Sequence, residues 1–242
     1  MRDVFGVFWQ AAKDFWEELF MLALMNLVTA LLLIPVVTFP PALTGLWNVA
    51  NLVAQGKSIA WSDYFEAFRK YFWKSWLLAL INIVLLATFL VNLRFYSPGV
   101  APFQISENVG FLIRTFWVSL TLMWVALQMY PLAMLLEQSD QRVRVAIRNS
   151  FVLLFAHPGF SLVLFILIVL VSALSTVIPV LWVLVSAAFL AVVCNKAVRH
   201  LLVPYREQAE REERERLEAE AETADRAAGD DVEELAEDIL EP

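Results

Sequence analysis

Hydrophobic positions along this chain fall into two kinds of run. Long uncharged stretches alternate with shorter segments in which apolar residues recur at steps of three and four. The first long stretch begins at Leu19 and reaches Gly56 without an Asp, Glu, Lys, Arg or His. A bilayer core takes roughly 20 apolar residues per helical crossing. This stretch is nearly twice as long, and Pro35, Pro40 and Pro41 interrupt it. Proline lacks a backbone donor and clashes with the preceding turn, yet it suits the first turn of a helix. The pattern predicts a crossing over residues 19–37, a break, and a second helix over 41–55. That helix is short for a crossing and carries Asn48, Asn51 and Gln55. A re-entrant or interfacial helix is therefore the preferred reading, and a full crossing its rival. Carbonyls before each proline lose their usual partners, so Thr38, Thr44 or a neighbouring helix must satisfy them. Pro35, Thr38, Pro40, Pro41 and Thr44 are read as a structural break, not a catalytic one.

The amphipathic segments sit between these runs. In residues 4–19, Phe5, Phe8, Trp9, Ala12, Phe15, Trp16 and Leu19 share a helical face, opposite Asp3, Gln10, Lys13, Asp14 and Glu17. Such a helix either lies in the membrane interface or packs against the protein's own loops. In residues 61–76, Trp61, Phe65, Phe68, Phe72 and Trp76 face away from Asp63, Glu66, Lys70 and Lys74. This predicts a second interfacial helix, capped by Ser62 or Asp63, running into a crossing at 75–93. Residues 94–114, with Ser97-Pro98-Gly99 and Pro102, read as an irregular loop. A crossing over 115–136 follows, bent near its end by Pro131. Residues 139–155 repeat the amphipathic device, with Val143, Ile147, Phe151 and Leu154 on one face. Pro158-Gly159 and Pro179 divide the remaining apolar run into crossings at 160–178 and 180–201. The expected fold is an all-α polytopic membrane helix bundle. It has about five transmembrane helices plus interfacial amphipathic helices over residues 1–204, and an acidic cytoplasmic tail, helical then disordered, over 205–242. The order crossing, proline, amphipathic helix, crossing occurs in 19–93 and again in 115–178. The letters barely match, so shared topology and duplication are both open.

Charge sharpens the division. The net charge of −7 hides two opposite parts. From Tyr205 onward there are 16 acidic and five basic residues, while the preceding part carries nine acidic and 13 basic. No basic patch supports nucleic-acid binding. Counting Lys and Arg sets Lys57, Arg69, Lys70, Lys74, Arg142, Arg144, Arg148, Lys196, Arg199 and Arg206 on one side, and Arg2, Lys13, Arg94 and Arg114 on the other. The expected orientation is therefore N-terminus outside and C-terminus cytoplasmic. The tail's ion pairs at four-residue spacing favour a helix, which Gly229-Asp230-Asp231 is expected to break. Beyond them Val232, Leu235, Ala236, Ile239 and Leu240 form an apolar stripe. A solvated tail is the preferred reading of it, and docking to a cytoplasmic partner the rival.

Chemistry-bearing motifs are scarce. The one cysteine, Cys194, reads as a small apolar residue. His157 and His200 flank the last apolar region, and no cluster has zinc spacing. No phosphate-binding glycine loop occurs. The expectation is a protein that is not an enzyme and has no cofactor. Polar residues within the spans, among them Asn26, Thr29, Asn82, Gln128, Ser175 and Ser186, are expected to bond across helices. An uncharged polar interior that passes a neutral solute is the alternative.

The segment N-L-V-T-A-L-L-L-I-P-V-V-T-F-P-P-A-L-T-G-L, starting at Asn26, resembles the first block of the YesL-like bacterial membrane proteins, a domain of unknown function. W-S-D-Y-F-E-A-F-R-K-Y-F-W-K-S is similar to that family's aromatic-rich second block, and Y-P-L-A-M-L-L-E and A-I-R-N-S-F-V-L-L-F-A-H-P to its later ones. Phe39 stands where family members often have glycine. The resemblance implies about five crossings and a bacterial plasma membrane. It also implies an accessory role beside carbohydrate transporters of the ABC type, with transporter subunits as partners besides the lipid bilayer. It carries over no catalytic or binding residues.

Overall fold

A computed structural model describes the backbone of residues 2–97 and 106–240, and the side chains of 3–97 and 106–221. The Ser97-Pro98-Gly99 and Pro102 loop is described only to Ser97. The side chains of the tail stripe, Val232, Leu235, Ala236, Ile239 and Leu240, lie outside the described residues. Among the described residues the chain forms helices and no strand. The helices are α1 (Arg2–Glu17), α2 (Leu19–Leu32), α3 (Phe39–Ala54), α4 (Trp61–Lys70), α5 (Phe72–Phe95), α6 (Glu107–Leu127), α7 (Pro131–Glu137), α8 (Val143–Ala156), α9 (Pro158–Val177) and α10 (Ala187–Leu240). A 3-10 turn, Val36–Thr38, leads into α3, and a π-helical turn, Trp182–Ser186, into α10. Contacts divide the chain into two compact units, Met1–His200 and Leu201–Pro242.

Among the described residues five segments are long and apolar enough to cross a membrane: Val36–Ala54, Phe72–Phe95, Glu107–Glu137, Pro158–Val177 and Trp182–Ala221; α1 and α2, bent by 88° where they join, qualify together as a sixth, broken span or as a re-entrant loop. The number agrees with the sequence pattern, but the first member differs. The expected crossing at 19–37 is cut short, because α2 has 14 residues and rises about 21 Å, against a core of about 30 Å. Helical geometry resumes at Val36 and carries Pro40 and Pro41 in the first turn of α3, where a missing N–H costs little. The long element thus lies after Pro35, not before it. α3 is also the most enclosed part of this hairpin, with over half of its apolar window buried against 11% for α5. It packs against α2, α4, α5 and α7.

The faces of the first two amphipathic segments are rotated from their expected positions. On α1 the packed stripe is Val4, Val7, Ala11 and Phe15, while Phe5, Trp9 and Trp16 point outward. On α4 the packed residues are Tyr64 and Ala67, while Phe65 is exposed and Trp61 and Phe68 are half-buried. Small or polar-tipped side chains go inward because they permit close approach, and the bulkiest rings are left for lipid. Gly45 shows how close that approach is: a Cβ there would meet the Tyr64 carbonyl oxygen at 3.0 Å. The cap of α4 is also shifted. Asp63 reaches back, its carboxylate accepting from the Ala60 N–H at 2.8 Å.

Three further expectations are corrected. α6 starts at Glu107, earlier than position 115, with Glu107 complementing the positive helix start and Arg114 donating to the Tyr96 carbonyl. α10 continues through Gly229 to Leu240. One helix-interior glycine costs about 1 kcal/mol, too little to stop a helix flanked by Glu, Ala and Leu. Lastly, Lys196 of α10 forms an ion pair with Asp14 of α1. The N-terminal helix and Lys196 thus meet, where cation counting set them on opposite sides. Charge counting missed this because it assumed that residues 19–37 cross.

Candidate functional site

Two of the helix breaks among the described residues are closed by hydrogen bonds that replace the missing ones. At the first, Pro41 has no N–H for the Val37 carbonyl, and the Trp76 indole of α5 donates to it at 3.0 Å. The Thr38 hydroxyl sits between the carbonyls of Leu32 (2.5 Å) and Pro35 (2.9 Å). Thr44, fully buried, lies 3.1 Å from the Pro40 carbonyl and 2.7 Å from the Ser75 hydroxyl of α5. Ser75 in turn reaches the Tyr71 carbonyl at 2.8 Å. The second break lies between α6 and α7. Gln128 donates back to the Trp124 carbonyl, Pro131 opens α7, and the buried Tyr130 hydroxyl bonds Ser161 of α9 at 2.8 Å.

Other polar side chains knit the same core. Asn26 donates to the carbonyls of Trp182 and Val183, both at 2.9 Å. These belong to the π-helical turn, whose wider winding leaves carbonyls without their usual partners. Tyr64 bonds Thr29 at 2.9 Å and the Ala42 carbonyl at 3.2 Å, tying α4 to both arms of the hairpin. Burial lifts the Tyr64 phenol above its ordinary value, against the Thr29 bond that lowers it, so it stays a donor. Asn195 donates to the Trp47 carbonyl, and Ser175 bonds Ser186.

Two cavities adjoin the breaks. The first, about 350 Å³, lies between α3 and α5; Thr44, Trp47, Ser75, Trp76, Asn82 and Gln128 supply its polar groups. The second, about 510 Å³, lies between the second break, α9 and α10, and includes Met129, Phe165, Ile168 and Leu190. Trp47 and Gln128 line both. Their sizes are in the range of small-molecule sites. No lining residue of either is Asp, Glu, Lys, Arg or His.

The structure brings the residues of the expected break together: Pro40, Pro41 and Thr44 are buried, Pro35 and Thr38 cap the turn. Of the aromatic stripe, Trp76 turns into the first cavity. Trp61 stacks with Phe65, and Phe68 packs edge-on to Phe72 at the outer surface. Sequence reasoning missed Tyr64, Tyr130 and Trp47. The visible signal was spacing, since Trp47 follows Thr44 by one helical step and Tyr130 immediately precedes a helix-opening proline.

This arrangement defines a polytopic helical membrane protein with a proline-broken core. Residues 19–93, which run from α2 into α5, match a family profile described as protein of unknown function, DUF624. No curated protein and no solved structure matches the chain.

Proposed function

We propose that this is a non-enzymatic protein of the bacterial plasma membrane that assembles with a carbohydrate uptake system of the ABC type. The observation that supports this reading is where the polar groups of the core go. Asn26, Thr44, Ser75, Tyr130 and Ser161 bond other helices of the same bundle, as in a rigid assembly partner. The YesL-like resemblance, consistent with the match over residues 19–93, supplies the transporter as partner. The Asp14–Lys196 pair supports a topology in which α2 and α3 dip in and return to one face. With the excess of Lys and Arg there, both termini are then cytoplasmic, and the tail stripe at Val232, Leu235, Ala236 and Ile239 is available to a cytoplasmic partner. Co-purification in mild detergent tests the proposal. Recovery of the protein free of any transporter subunit sinks it.

A second reading has its own support in the two uncharged cavities beside the breaks. In it the protein holds or passes a neutral solute. Uptake of labelled neutral solutes into liposomes containing the purified protein tests this directly. Flux no greater than in empty liposomes removes the transport form of it.

A further inference from the structure

Buried and bonded positions in the two halves of the bundle correspond under one fixed shift. Thr44 bonds Ser75, and Tyr130 bonds Ser161; Thr44 to Tyr130 and Ser75 to Ser161 are each a shift of 86 positions. The same shift takes the start of α5, Phe72, to the start of α9, Pro158, and the end of α4, Lys70, to the end of α8, Ala156. It also takes the buried residues of α5, Ser75, Leu78 and Phe89, onto those of α9, Ser161, Leu164 and Ser175. The buried pair Tyr64 and Ala67 of α4 falls on Ser150 and Leu153 of α8. Side-chain chemistry differs at most of these positions, which is why letters alone did not reveal the repeat. Residues 19–93, the family match, span one copy.

The cavities obey the same relation. Phe39, Leu43, Ala79, Asn82 and Ile83 of the first map by that shift onto Val125, Met129, Phe165, Ile168 and Val169 of the second. Interrupted helices at corresponding places in two repeats mark binding sites in many membrane proteins. Here the copies have diverged in a definite sense. The first keeps Asn82 and two indoles, and has Ala79 where the second has Phe165 and Ile168 beside it. Asn82 spends one N–H on the Leu78 carbonyl and accepts from Trp124, while Gln128 spends one N–H on the Trp124 carbonyl. A carboxamide has a second N–H, so each has a donor for a guest. In the second cavity the Thr176 hydroxyl already bonds its own helix. The first cavity opens beside Val36 and Ile83, both apolar and largely exposed.

We propose that the paired cavities form one bipartite site for a neutral amphiphile drawn from the bilayer. Its hydroxylated head lies in the first cavity, against Asn82, Gln128 and the indoles, and its chain in the second, past Trp47. The uncharged lining excludes an anionic head, because a buried charge without a partner is costly. This deepens the ligand-holding reading above and is independent of whether a transporter binds.

The test uses the full chain in phosphatidylcholine nanodiscs with no transporter present. The probe is a monoacylglycerol carrying a diazirine in its chain. Light should place adducts on Met129 and on the Phe165–Val169 stretch, and excess unlabelled monoacylglycerol should remove them. The matching fatty acid should compete at least tenfold less well. Asn82→Leu should weaken competition about tenfold, the loss expected of one buried hydrogen bond. Ile168→Trp, which fills the second cavity, should cut adduct yield at least fivefold. Ala79→Val, a milder filling of the first cavity, covers the case in which Asn82→Leu does not fold. Adducts spread over outward residues such as Leu80 and Leu170, or equal competition by the fatty acid, would overturn the proposal. So would wild-type labelling in folded Ile168→Trp and Ala79→Val. Failure of co-purification with a transporter leaves these outcomes unaffected.

Discussion

The two proline breaks solve one problem with different parts. At the α2–α3 break three prolines crowd together, and side chains from the turn itself and from α5 fill the gaps: Thr38, Thr44 and the Trp76 indole. At the α6–α7 break one proline opens a short helix, and Gln128 and Tyr130 suffice. The first break is deep and enclosed, with Pro40, Pro41, Thr44 and Gly45 buried. The second is sealed mainly by an apolar cluster in which Ile147, Phe151 and Leu154 of α8 pack on Phe89, Trp124 and Leu127. The first half therefore relies on directional bonds and close backbone approach, the second on apolar contact. In a membrane, where apolar burial from lipid brings no hydrophobic gain, packing and hydrogen bonds carry the association of helices. Polar substitutions should weigh more on the first half.

The largest expected effect is from Gly45→Val. It drives a branched side chain into the Tyr64 carbonyl and ring, an overpacking worth about 1–3 kcal/mol, and should lower the unfolding midpoint in detergent sharply. A silent result would mean that α4 does not press on α3. Next, Asn26→Leu leaves two π-turn carbonyls without their donor, at about 2 kcal/mol. Equal stability would show those carbonyls to be satisfied otherwise. The hydroxyl pairs sharpen the comparison: Thr44→Val and Ser161→Ala each remove one member of equivalent bonds, at about 1 kcal/mol. Thr44→Val should cost more, since it also uncovers the Pro40 carbonyl, and the reverse order in thermal scans would break the contrast between the halves. Smallest in energy is Asp14→Asn. Both partners of that ion pair are partly exposed, so less than about 1 kcal/mol is expected. Its geometry is better tested by labelling. Cysteines at Lys13 and Lys57 should share one accessibility in intact cells and Ser97 the opposite one, whereas opposite labelling of the first two would remove the one-faced hairpin.

Sequence pattern alone determined the class of this protein. Uncharged runs near bilayer length leave helices as the only economical structure, because backbone groups in lipid must bond within their own segment. The same rule made the Pro35–Pro41 break legible as a place needing outside donors. Tertiary structure decided which donors arrive, since Trp76 to Val37 and Asn26 to Trp182 join positions far apart in the chain. It also decided which face of α1 and α4 turns inward. An amphipathic helix in a membrane has two apolar environments, lipid and protein, and hydrophobicity cannot tell them apart; side-chain size and close approach at Gly45 do. The meeting of the N-terminal helix with Lys196 was illegible for a related reason. Cation counting needs the parity of crossings, and that parity turned on whether 19–37 crosses, which only the contact of Asp14 with Lys196 addresses. The correspondence of the halves was equally hidden: they share the positions of buried residues and a hydroxyl pair, but few letters.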